Sequence, residues 1–173
     1  MIKQLIAVPV VALCVGVGVT TAQLTTQSPQ QGGDTYLWHG ELVSFDEGTK
    51  ALTVKVQVLA ETEKEIARFK VGERMLLTWS GVDRYAGAVR AVASAAAAQK
   101  VTEPFSLVVE LASPGVQSGF VTLRIRAADA KRDALKGVKP GEWVTVTTRQ
   151  QPASETQAIV MVEPYVKASQ GTN

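Results

Sequence analysis

The stretch FKVGERMLLTW, Phe69 to Trp79, returns sixty-nine residues later as VKPGEWVTVTT, Val138 to Thr148. In both, a Lys-x-Gly-Glu turn leads straight into a β-rich run. Glycine takes a left-handed turn at the least cost, so Gly72 and Gly141 read as structural turn residues. Each ends one element and launches the next strand. Aligning Gly40–Ser80 with Val109–Arg149 without gaps preserves more than the turn. Glu41, Leu42, Ser44 and Thr53 fall on Glu110, Leu111, Ser113 and Thr122. ALTVKVQ falls on FVTLRIR, so Leu52, Val54 and Val56 match Val121, Leu123 and Ile125, and Lys55 matches Arg124. A fixed shift that keeps turn residues and alternation is the signature of a duplicated unit.

Each copy reads strand, strand, helix, strand, strand. GELVSF is the first strand and DEGTK its turn, with Gly48 available for positive φ. ALTVKVQVL alternates as a half-buried strand. AETEKEIARF is rich in helix formers, with Leu59, Ile66 and Phe69 on one face. RMLLTW and YAGAVRAVA follow as strands. The second copy offers SLVVEL, FVTLRIRA, a shorter helix around DAKRDALKG capped by Asp129, then EWVTVTT and QAIVMVE. The expected fold is mainly β: two tandem small OB-like β-barrel units, each ββαββ. The first spans 37–93 and the second 105–166, joined by a linker over 94–104 and followed by a polar tail over 167–173.

The start of the chain reads as an address. MIK supplies one positive charge, Leu5 to Val19 is apolar, and TTA offers small residues before Gln23. That is the layout of a secretory signal peptide over 1–22, followed by a polar leader over 23–36. The apolar run is short for a spanning helix, which wants about 20 residues, so an uncleaved membrane anchor is the alternative. Cys14 is the only cysteine, and Leu13 before it does not suit lipid attachment. Cleavage would leave no disulfide and no thiolate chemistry. The formal charge of +2 falls to +1 without Lys3, too near balance for a strong long-range field. A periplasmic or secreted location is expected, with membrane contact only through an uncleaved signal segment.

The order of strand, Asp/Gly turn, TVKV-like strand and Gly-Glu before an apolar strand resembles small exported bacterial OB-like β-barrel domains. It covers Gly40–Ala93 and Ser106–Glu163. The periplasmic copper-carrier branch of such barrels uses a Met/His/Trp cluster. ETEKEIARFKVGE holds neither Met nor His here, so the resemblance implies the barrel without the metal.

The residues that could carry chemistry are few. After residue 22 the chain has one histidine, His39, and two methionines, Met75 and Met161, so no soft-metal ligand set forms and no cofactor is expected. His39 reads as a solvated strand-edge residue. A serine triad would have to use His39, and TWSGV around Ser80 lacks the first glycine of a nucleophile elbow. Paired carboxylates could come from Glu61, Glu63, Glu65, Glu73 or Glu110, of which the first three read as one charged, solvated helix face. The aromatic candidates for ligand contact are Trp38, Trp79 and Tyr85, with Arg84 beside them. Trp143 is expected on the opposite side from Trp79. Near-neutral charge and export speak against nucleic acid. The expected function is an exported, non-catalytic envelope binding or accessory protein, its partner an envelope protein or a small ligand. The alternative is an OB-type module for an oligosaccharide or a cation.

Overall fold

The computed structural model describes residues 35–96, 104–128, 130, 135–151 and 154–166. The proposed signal segment, most of the linker, the polar tail and the Asp129 helix start lie outside these residues. The chain is mainly β, with one closed six-strand barrel and two further strands. The strands are β1 (Thr35–Asp46), β2 (Ala51–Gln57), β3 (Arg74–Val82), β4 (Tyr85–Ser94), β5 (Ser106–Gln117), β6 (Phe120–Arg126), β7 (Trp143–Arg149) and β8 (Ile159–Pro164). Among the described residues one α-helix, α1 (Ala60–Ile66), lies between β2 and β3, and a 3-10 turn over Glu155–Gln157 precedes β8.

Alternation builds the core. Tyr36, Trp38 and Leu42 of β1 are buried, as are Leu52, Val54 and Val56 of β2. Met75, Leu77 and Trp79 of β3 and Val121, Leu123 and Ile125 of β6 join them. Period-two burial of this kind puts every second side chain inside, each large one contributing roughly 1.5–3 kcal/mol. Gly40 falls where β2 passes close to β1: a Cβ there would sit 3.0 Å from the Lys55 carbonyl oxygen. Helix α1 lies against β4 and β5 and buries Ile66 completely.

The DEGTK turn is made differently from expectation. Lys50, with φ of 56°, takes the left-handed conformation rather than Gly48. The Asp46 carboxylate accepts from the Gly48 and Thr49 amides at 2.8 and 2.9 Å, which shapes the turn without glycine's freedom. Those bonds hold its pKa below the usual carboxylate range.

The sheet order is β2-β6-β5-β3-β4-β1-β7-β8, with β2 also paired to β1. The barrel therefore runs β1-β2-β6-β5-β3-β4 and back to β1, where Leu37 pairs with Tyr85. Strands β5 and β6 come from the second half of the chain, so the first half does not close a barrel alone. The expected pair of tandem units gives way to one barrel that both halves share. The hairpin β7–β8 adds to the other edge of β1.

The registers are reciprocal. Val54 pairs with Leu123, its own counterpart in the alignment, so β2 and β6 meet head to tail about a common centre. Arg74 pairs with Glu110 and Trp143 with Glu41. The Gly72 amide donates to the Leu111 carbonyl at 2.8 Å, and the Gly141 amide to the Leu42 carbonyl at 2.7 Å. Each turn thus docks on the opposite half. The Lys70 and Lys139 amides each donate to the glutamate three residues on, Glu73 and Glu142. Gly72 and Gly141 have φ of 85° and 92°, and a Cβ on either would meet nothing within 4 Å. Alanine at either is therefore expected to cost about 1 kcal/mol of backbone strain and no clash. Pro140→Val should be milder. Denaturant unfolding of the three variants checks this, and neutral glycine variants would refute the shared turn.

Candidate functional site

Of the four residues expected to meet a ligand, the structure sends two inward. Trp38 and Trp79 are fully buried and stack on each other at 5.4 Å. Trp38 Nε1 donates to Thr148 Oγ1 at 2.8 Å, a satisfied core contact. Neither ring is available to a ligand, which corrects their assignment as contact residues. Tyr36 packs beside Trp79, and burial pushes its phenol far up. Arg84 and Tyr85 stay at the surface, where the Arg84 carbonyl accepts from the Leu37 amide at 2.7 Å.

The outward parity of the same strands assembles a different set of rings. Tyr85, at the start of β4, is 48% exposed. His39 of β1 lies 5.2 Å from it and 4.5 Å from Tyr165. The Tyr165 amide donates to the Trp143 carbonyl at 2.9 Å, which sets Tyr165 opposite Trp143. Trp143, 41% exposed, meets Phe120 of β6 edge-on at 6.4 Å. The rings form two groups on the outside of the barrel, Tyr85–His39–Tyr165 and Trp143–Phe120, brought into one strip by the backbone pairing of Tyr165 with Trp143. Grouped, partly exposed aromatic side chains of this kind are a candidate recognition surface. Trp143 does lie on the face opposite Trp79's, as the sequence suggested.

His39 is not a solvated edge residue, because β1 is paired on both sides around it. It is half-buried between two tyrosines, with Thr145 Oγ1 3.2 Å from Nδ1. Burial lowers its pKa below the ordinary histidine value. The unfolded chain then takes up the proton first as pH falls. Stability is expected to be full above the ordinary histidine range and to decline as pH drops through it. His39→Gln should flatten that decline in urea titrations at a series of pH values, and an unchanged decline would refute the assignment.

A second surface feature lies on the outward side of β2, β6, β5 and β3. It is a cleft of about 650 Å³ that includes Thr53, Arg74, Glu110, Arg124 and Arg126. Arg124 pairs with Glu110 at 2.7 Å and Arg74 with Glu155.

No family model, curated protein or solved structure matches this chain. The site must therefore be read from its own chemistry. Among the described residues, no three of His, Cys, Asp or Glu come together as a metal-binding group. What the surface offers is flat ring area, hydroxyls and guanidinium groups, which are groups suited to holding a ligand by stacking and hydrogen bonds. Nucleophilic catalysis would require a nucleophile with a base in reach.

Proposed function

We propose that this protein is an exported, non-catalytic binding module that holds an oligosaccharide on the outer face of its barrel. The observation that carries the reading is the strip Tyr85–His39–Tyr165–Trp143–Phe120. Sugar rings present C–H faces that pack on aromatic rings, and ring hydroxyls need the polar groups that border them. Export rests on the apolar start of the sequence, and an intact mass beginning at Gln23 tests it. The duplicated unit belongs to the same proposal: two OB-like copies that exchange their third and fourth strands. Its support is the reciprocal docking of Gly72 on Leu111 and of Gly141 on Leu42.

Trp143 makes the test direct, because Trp38 and Trp79 are shielded in the core. Titration with a neutral hexasaccharide, fully methyl-esterified hexagalacturonate, should change the indole emission. Trp143→Phe should abolish that change. Tyr85→Ala with Tyr165→Ala should weaken binding by about tenfold or more, the scale of a lost aromatic anchor. Emission that does not respond, or affinity indifferent to the two tyrosines, would refute the strip as the binding surface.

A further inference from the structure

The reciprocal registers give the charged cleft a counterpart, and comparing the two says what the open one is for. The counterpart, of about 210 Å³, is lined by Glu41, Lys55, Ser113, Ser118, Phe120 and Thr122. Under the sequence alignment these are the positions of Glu110, Arg124, Ser44, Thr49, Ala51 and Thr53 in the open cleft. The ion pair is kept in both: Glu41 with Lys55 at 3.0 Å, and Glu110 with Arg124 at 2.7 Å. The hydroxyl positions are kept too. The difference is the filling. Phe120 lines the small cleft and meets Trp143 edge-on, and the aligned positions at the large cleft are Ala51 and Arg74. One copy has spent its cleft on the aromatic strip. The other has kept it open and added guanidinium groups.

The two regions are continuous. Along β6, Phe120, Thr122, Arg124 and Arg126 alternate outward while Val121, Leu123 and Ile125 are buried. The same strand therefore carries the end of the ring strip and the arginines of the open cleft. Arg126 is exposed, and its side chain has no hydrogen-bond or ion-pair partner among the described residues. Arg124 commits one nitrogen to Glu110, which pre-orients the guanidinium and leaves other donors for a ligand. Asp46, also at the cleft, is occupied by the amides of its own turn.

We infer that the ligand is an acidic oligosaccharide, its neutral ring faces on the aromatic strip and a carboxylate-bearing residue in the cleft against Arg124 and Arg126. This inference rests on the oligosaccharide reading and adds the charge of the ligand to it. The interleaved Ser44, Thr49 and Thr53 hydroxyls suit a hydroxylated chain. The interleaved Asp46, Glu110 and Glu155 carboxylates break up the uninterrupted basic track that a nucleic acid strand's dense phosphates draw on, whereas a single ligand carboxylate needs only the local Arg124 and Arg126 pair.

Calorimetry with hexagalacturonate, its methyl ester and a single-stranded oligothymidylate tests this on the full chain. The acid should bind about tenfold more tightly than the ester, the scale of a charge-assisted hydrogen-bond pair. Arg126→Ala with Arg124→Ala should erase that difference. Arg126→Ala alone, which removes no partner, should reduce it without touching the fold. Added salt should narrow the difference, because exposed pairs are screened. Equal binding of acid and ester, a preference that survives both arginine changes, binding of neither sugar, or tighter binding of the oligothymidylate would each overturn the inference. If ester binding persists and depends on Tyr85 and Tyr165 while the acid gains nothing, the oligosaccharide reading stands and this one falls. If acid binding depends on the arginines but not on the tyrosines, the strip is wrong and the cleft stands.

Discussion

Trp38→Ala is expected to cost about 3–5 kcal/mol, the range for deleting a large aromatic side chain from a packed interior. Trp79→Ala should fall in the same range. Both rings are fully buried and stacked, so truncation loses ring burial, loses the stack and leaves a cavity. Against a total stability of about 5–15 kcal/mol for a typical domain, either change should lower the denaturant midpoint severely. Their phenylalanine variants should separate. Trp38→Phe removes the hydrogen bond that the indole donates to the Thr148 hydroxyl at 2.8 Å. The Trp79 indole nitrogen is buried with no hydrogen-bond partner among the described residues, so Trp79→Phe removes an unpaired polar group and should be the milder of the two. Equilibrium unfolding checks both pairs. A Trp38→Ala variant with wild-type stability would mean that the rings are not core.

The second large effect lies at the crossing of the two halves. Leu111 is fully buried, and its backbone holds the Gly72 turn through two hydrogen bonds: its carbonyl takes the Gly72 amide, and its amide donates to the Glu73 carbonyl at 3.0 Å. Leu42 stands in the same relation to the Gly141 turn. Leu111→Ala and Leu42→Ala should each cost about 2–5 kcal/mol, and the two costs should be similar. The consequence should also travel. Because each leucine seats the opposite half's turn, Leu111→Ala should speed amide exchange at Gly72 and Glu73, and Leu42→Ala at Gly141 and Glu142. Loosening confined to the mutated half would contradict the exchange of strands.

Much of this was legible in the residues. Alternation located the strands, and the repeated Lys-x-Gly-Glu found two turns that share a φ near 90°. Pairing partners were not legible. Period-two patterning says which face of a strand is apolar but is the same for every edge, so Val54 could have met any strand of like pattern. For the tryptophans, strand parity decides which face each ring takes. Trp38 shares parity with Tyr36 and Leu42, and Trp79 with Met75 and Leu77, which places both indoles inside. Trp143 shares parity with Thr145 and Thr147 and points out. Tyr165 follows the last strand, where alternation has ended. Nothing local marked it as the partner of His39. The open cleft depends on Arg74, Arg124 and Glu155, from three separated segments, and only the barrel brings them together.

The central claim is that one barrel, closed by strands from both halves, presents the binding face. Native-state amide exchange at a series of low denaturant concentrations tests it most directly. If the barrel is shared, the slowest amides of β2, β3, β5 and β6 must all open with the same free energy, equal to that of global unfolding. Two distinct plateaus, one for β2 and β3 and a lower one for β5 and β6, would show halves that unfold independently and would contradict the account.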